Sequence, residues 1–257
     1  MKKIKIYLLL VIILIFTACQ ESPNNENETK NTFDIIDLVT GNISLDNTQG
    51  TISIEADGIA NSTQVAFQTN SSIFSSNSRT TKVDAGTVLV NGIMLTKDEN
   101  NEYYNEDSQS TAFGISTSFS ISGNSSSGID QFSESIYIPE LIDMQVSNGS
   151  SHNKLLDLTV TWNKDINNPL EVYLRLDYNL AYNKMLDSNM TAPSVSKVYL
   201  VADNGSYTIS SSDFADMPVG ARIEVAIARG NYSISGTTQK HLVYAVSTDS
   251  KMMWLTN

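Results

Sequence analysis

The sequence predicts an all-β protein: two antiparallel β-sandwich domains in series, carried behind a cleaved leader and a disordered tether. Three observations predict it. From Phe33 onward, almost every periodic segment places its apolar residues at every second position, the period of a strand with one buried face. No segment beyond the leader carries an apolar stripe at helical spacing. Asn91-Gly92 stands between two short β-prone runs, Val88 to Val90 and Ile93 to Leu95, and this dipeptide accepts φ > 0 at both central positions of a hairpin turn. The expected boundaries are 1–18 for the leader, 19–32 for the tether, 33–138 for the N-terminal β domain and 139–257 for the C-terminal sandwich.

The leader follows from its residues. Lys2, Lys3 and Lys5 precede an unbroken apolar run of eleven residues, Ile6 to Phe16, and the small pair Thr17-Ala18. That is the layout of a secretory signal peptide; a membrane-crossing helix needs about 20 apolar residues. Cys19, the only cysteine, comes next. Phe16-Thr17-Ala18-Cys19 resembles the lipobox of bacterial lipoproteins, with Phe16 in place of the usual Leu. The resemblance implies cleavage before Cys19, a diacylglycerol thioether on its sulfur and an N-acyl group. One acyl chain anchors only marginally, at about 0.8 kcal/mol per buried methylene, whereas two or more hold a protein on a bilayer. The alternative is an ordinary secretory peptide that leaves Cys19 a free thiol. Without a second cysteine there is no intrachain disulfide and no cysteine zinc site.

Gln20 to Thr32 (QESPNNENETKNT) holds Pro23, many Asn and Glu and no large apolar side chain, the composition of a disordered tether. Glu21, Glu26 and Glu28 after the cysteine resemble, in spaced form, the surface-export signals of Bacteroidota lipoproteins. The leader holds three of the 16 basic residues and none of the 28 acidic ones, so the chain from Cys19 carries −15 (13 against 28). That charge argues against nucleic acid and against electrostatic docking on anionic lipid.

In the N-terminal domain, Thr51 to Glu55 alternates, and Ile115, Thr117, Phe119 and Ile121 share one face. Residues 70–77 and 123–128 read as loops. Ile136 to Glu140 is the crossing into the second domain. There the strands are expected around Ile142 to Val146, Leu156 to Trp162, Leu170 to Tyr178, Val198 to Val201, Tyr207 to Ile209, Ile223 to Ile227 and Leu242 to Val246. Seven short strands at this spacing resemble an immunoglobulin-like or fibronectin-III-like module of bacterial surface proteins, without the cysteine pair of antibody domains. Trp162 is expected in its core. Ser212 to Asp216 before Pro218 reads as one Ser-capped helical turn carrying the chain between sheets, and Lys251 to Asn257 as an added edge strand or a cover over one sheet end.

Chemistry-bearing motifs are sparse. The two histidines, His152 and His241, have no ligand spacing around them and read as surface residues. No G-x-S-x-G elbow and no Gly-rich phosphate loop occur. The acidic run 98–107 is the densest local constellation. Oxygens of Asp98, Asn100 and Glu102 are the candidate ligands for a structural calcium ion. An EF-hand is excluded, because Tyr103 and Gln109 stand where that loop needs Gly and Glu. The competing reading is a solvated loop. The adjacent Tyr103 and Tyr104 are the candidate ligand-stacking pair, against the plainer reading of sheet-packed rings with wet hydroxyls.

The expected function is a membrane-anchored surface lipoprotein of the outer membrane with a non-enzymatic binding, adhesion or assembly role. Its partners would be the membrane and an unknown protein or glycan. The alternatives are a glycan-binding lipoprotein of a polysaccharide-uptake system and a carboxylate-based hydrolase, which needs two facing carboxyls in a cleft.

Overall fold

The computed structural model describes residues 48–58, 82–104, 113–236 and 240–257, and in the first of these the side chains at 50, 52 and 54 only. Cys19, the leader and the tether lie outside the described residues, as do the loop at 70–77 and the end of the acidic run. The described residues fall in one compact unit, Ile35–Asn257. The protein is all-β, with one short α-helix among the described residues.

Two hydrophobic cores are built by four sheets. The first core is lined by a four-stranded antiparallel sheet of β2 (Val88–Val90), β3 (Ile93–Met94), β6 (Ile115–Ile121) and β7 (Phe132–Ile138), in the order β3-β2-β6-β7. The expected hairpin forms: Asn91 and Gly92 take φ of 50° and 79°, and Val90 pairs with Ile93. In β6, Thr117, Phe119 and Ile121 face the core as the alternation predicts, while Ile115 at its start stays exposed. A two-stranded ribbon, β4 (Thr96–Lys97) with β5 (Tyr103–Tyr104), follows the hairpin.

The second core lies between a three-stranded sheet and the main sheet. The three strands are β8 (Met144–Val146), β10 (Leu158–Trp162) and β13 (Ser206–Ile209), in the order β13-β10-β8. The main sheet runs β1-β15-β14-β11-β12, from β1 (Thr48–Gly58), β11 (Val172–Tyr178), β12 (Val195–Val201), β14 (Arg222–Ser235) and β15 (Lys240–Thr256). β9 (Ser151–Asn153) also pairs with β15. Along β11 the inward residues Val172, Leu174, Leu176 and Tyr178 are fully buried, as its strict alternation requires. Trp162 is in this core.

β14 and β15 are the longest strands among the described residues; β14 lines the second core and β15 belongs to both. β15 spans 17 residues, about 55 Å at strand rise. Its Val243 and Ala245 complete the first core with Ile52 and Ile54 of β1, and its Met253 and Leu255 lie in the second. The segments expected as a seventh strand near 242–246 and a separate edge strand after 251 are thus one element. Pairing also departs from the antiparallel expectation: β1 and β9 both run parallel to β15, along the same edge. Each reaches that edge by a long connection rather than a tight turn, which is what parallel pairing demands.

Two short elements complete the second core. α1 (Leu180–Leu186) is capped by Asn179, whose side chain accepts from the Tyr182 amide. At seven residues it is too short to display a helical stripe, so periodicity gave no warning of it. The Ser-capped turn between the sheets is a 3-10 turn, Ser211–Phe214, capped by Ser210 rather than Ser212, and it buries Phe214. No helix of the described residues is long and apolar enough to cross a membrane.

Candidate functional site

The predicted calcium and stacking residues meet in the β4–β5 turn. The Asp98 carboxylate accepts from the amides of Asn100 (2.9 Å) and Glu102 (2.8 Å), which makes it the cap of the turn. Asn101 sits at φ 61° at the corner, and Glu102 pairs with Lys82. Among the described residues no group of three His, Cys, Asp or Glu side chains is arranged to hold a metal. Tyr103 and Tyr104, being adjacent, point to opposite faces. Tyr103 is buried in the first core and Tyr104 is half-buried.

The hydroxyl of Tyr103 leads to a group that sequence reasoning missed. It donates to Asp84 Oδ1 (2.8 Å) and accepts from the Ala85 amide (2.9 Å). Asp84 also accepts from Lys97 (2.6 Å) and the Gly86 amide (2.8 Å). The Lys97 ammonium and the Gly86 N–H hold its carboxyl down at about 2. Burial and the neighbouring Asp84 push Tyr103 up to about 12. The cluster ties the start of the described first-core segment to the ribbon.

Among the described residues, the densest polar constellation lies where the two cores meet. Arg229, in the middle of β14, is fully buried. Its Nε lies 2.9 Å from Asp203 Oδ2, outside hydrogen-bond angles, so that contact is coulombic. Nη2 donates to Asp203 Oδ1 (3.2 Å) and to the Asn163 carbonyl, and Nη1 to the Glu140 carbonyl (3.1 Å). Asp203 accepts in addition from Trp162 Nε1 (2.8 Å) and Asn168 Nδ2 (3.1 Å). A second buried carboxylate, Asp165, accepts from Tyr137 Oη (2.9 Å), the Glu140 amide (2.9 Å) and the Asn167 amide (2.9 Å). Burial by itself would raise Asp165; the two amides, the Tyr137 hydroxyl and the Arg229 charge outweigh it and hold the carboxyl below its usual range.

The segment that passes between the cores, 139–144, is stitched down by the same strands. Ile142 N donates to Ser247 Oγ (2.8 Å), Met144 N to Asp249 Oδ2 (2.7 Å), and Asn231 Nδ2 to the Tyr137 carbonyl (2.8 Å). Ser247 and Asp249 of β15 are themselves buried. Arg229 and Asp203 sit in strand- and turn-like sequence with no local motif, and only the fold brings them together.

Both histidines are buried, contrary to the surface reading. His152 lies in β9 against Phe214 (ring centroids 4.8 Å), with Nδ1 2.7 Å from Asn148 Nδ2 and Nε2 3.1 Å from the Leu156 carbonyl. That pattern fits the neutral ring protonated at Nε2. His241 packs on Phe132 at 4.9 Å. Burial lowers both from the ordinary value of 6.5; Asp157 opposes it for His152 and Asp130 for His241. His152 occupies an inward position of β9, a three-residue strand too short to show an alternation, and His241 an inward position at the start of β15.

A shallow groove of about 310 Å³ opens on the edge of β15 between its β1 and β9 pairings, lined by Gln145, Val146, Gly149, Ser150, Ser250, Lys251 and Met252. No protein-family model and no curated protein matches this chain.

Proposed function

We propose that this chain is a lipoprotein of the cell envelope, held on the outer membrane and exposed at the surface through acyl chains on Cys19, whose β body binds or assembles rather than catalyses. The observation that carries this reading is the use made of the charged and aromatic polar groups. Arg229, Asp203, Asp165, Asp84 and Tyr103 are bound to backbone atoms or to one another across segment boundaries. Groups committed in this way hold a scaffold together and leave none of these carboxylates facing another across a cleft.

The body is read as two sandwich units that share the β14–β15 hairpin, the second immunoglobulin-like. Supporting this are the three-stranded sheet β13-β10-β8 facing the main sheet, and the parallel pairing of β9 with the last strand. One observation favours glycan capture as the form of binding. On the outer face of the main sheet, half-buried Tyr173 shares a row with Arg175 and Asp177, and Arg175 is paired with Glu224 at 2.8 Å. An aromatic ring beside carboxylates is the surface that stacks and hydrogen-bonds a sugar.

The test is fractionation of cells expressing wild type or Cys19→Ala, with protease shaving of intact cells. The expected result is a wild type that is membrane-bound and cleaved from outside, and a variant that is released. A variant that fractionates like wild type removes the lipid anchor. A wild type protected from protease removes surface exposure.

A further inference from the structure

The end of the second core away from the first gathers the turns that hydrogen-bond one another. Lys154 Nζ donates to the carbonyls of Ala215 (3.1 Å) and Met217 (2.5 Å). Asn183 of α1 bonds both the amide and the carbonyl of Arg222. Gly220 N donates to Leu255 O, and Trp254 N to Ser150 O. Four segments therefore form one tip: the turn after β9, the end of α1, the turn before β14 and the end of β15.

Large apolar side chains project from all four. Leu155 keeps 69 % of its surface exposed, Leu156 57 %, Met185 77 %, Leu186 47 %, Val219 45 % and Trp254 42 %. Half of the exposed large hydrophobic residues in the described chain are here. They protrude from separate segments. A fluid bilayer accommodates such scattered projections without a matching shape. The charges of the tip also select. Lys154, Lys184 and Arg222 balance Asp157, Asp187 and Asp216, and Lys197 pairs with Asp213, whereas the whole chain carries −12. Arg222 lies 5.6 Å over the Trp254 ring, the arrangement of an aromatic and a cation at a headgroup boundary.

We propose that this tip docks on a neutral, zwitterionic phospholipid bilayer, with Leu155, Leu156, Met185, Leu186 and Val219 entering the interface and Trp254 with Arg222 at headgroup level. The contact is independent of Cys19 and stands or falls separately from the anchor. Its strength comes from apolar burial, since a balanced tip on an acidic molecule gains nothing from anionic lipid.

The experiment uses the full chain on phosphatidylcholine vesicles with brominated acyl chains, reading tryptophan quenching. The other tryptophan, Trp162, is buried in the core, so Trp254→Phe isolates the tip signal. Quenching of Trp254 is expected, with about ten-fold more lipid needed once Leu155→Ser and Leu156→Ser are combined; Met185→Ser gives the same direction from a different segment. Far-ultraviolet circular dichroism checks that these exposed positions leave the fold intact. Vesicle-bound protein with Trp254 unquenched, or quenching indifferent to the leucines, overturns the proposal. So does burial of Trp254 that follows protein concentration without lipid, which would make the tip an interface between two copies.

Discussion

Arg229 shows how much one side chain is asked to do. A guanidinium without exposure, with one carboxylate partner and two carbonyls from other segments, is stable only while those partners stay in place. Arg229→Met strands Asp203 without its countercharge, and breaking one side of a buried pair costs about 3–5 kcal/mol. Urea unfolding should show that loss, and Arg229→Met with Asp203→Asn should recover part of it. The histidines act in the opposite sense. Below 6.5 the unfolded chain takes up protons at His152 and His241, while burial makes both rings harder to protonate in the fold. Stability is therefore full above that pH and falls as pH drops through it, by up to about 1.4 kcal/mol per unit for each ring. Thermal midpoints between pH 7.5 and 5 should fall, and His152→Gln should shallow the slope. Asp84 acts lower still: its stabilisation is present above 3.8 and disappears as pH falls toward about 2.

Elements were legible in proportion to how locally they are determined. The β2–β3 hairpin was readable because Asn91-Gly92 encodes its own turn. β11 was readable because both neighbours bury the same face throughout. β9 and α1 escaped because three and seven residues hold less than one full pattern, and tertiary bonds from Trp254 and Arg222 define them. The parallel course of β1 was invisible for the same reason, since nothing within Thr48–Gly58 names its partner. Tyr103 and Tyr104 were visible as a pair, but which ring turns inward depends on ribbon register. The turns make a graded prediction. Gly92 has φ 79° with nothing within 4 Å of an added Cβ, so Gly92→Ala should cost about 1 kcal/mol from backbone strain alone. Gly86, at φ 81°, would place a Cβ 2.5 Å from the Gly123 carbonyl, so Gly86→Ala should cost clearly more. Chemical denaturation of the two variants ranks them.

At the scale of the whole molecule, the two cores share a strand rather than merely touching. β15 lines both, and the segment 139–144 is bonded to β15 through Ile142 and Met144 and to β14 through Arg229. Calorimetry should therefore show one cooperative transition across the described body. A chain cut to 139–257 would keep the long hairpin but lose β1 and the sheet that covers Val243 and Ala245. It should expose that half of the hairpin to rapid hydrogen exchange and aggregate on concentration. The parallel pairing of β1 with β15 has a mechanical meaning as well. Both strands head toward the tip, and they are joined at ten paired positions from Thr48 to Gly58. A load entering from the residue 48 side and resisted at the tip pulls the strands past each other lengthwise. Every rung of that ladder is strained at once, and none can be opened ahead of the next. The body is thus wired to bear tension along β15 in shear, the loading in which paired strands yield last.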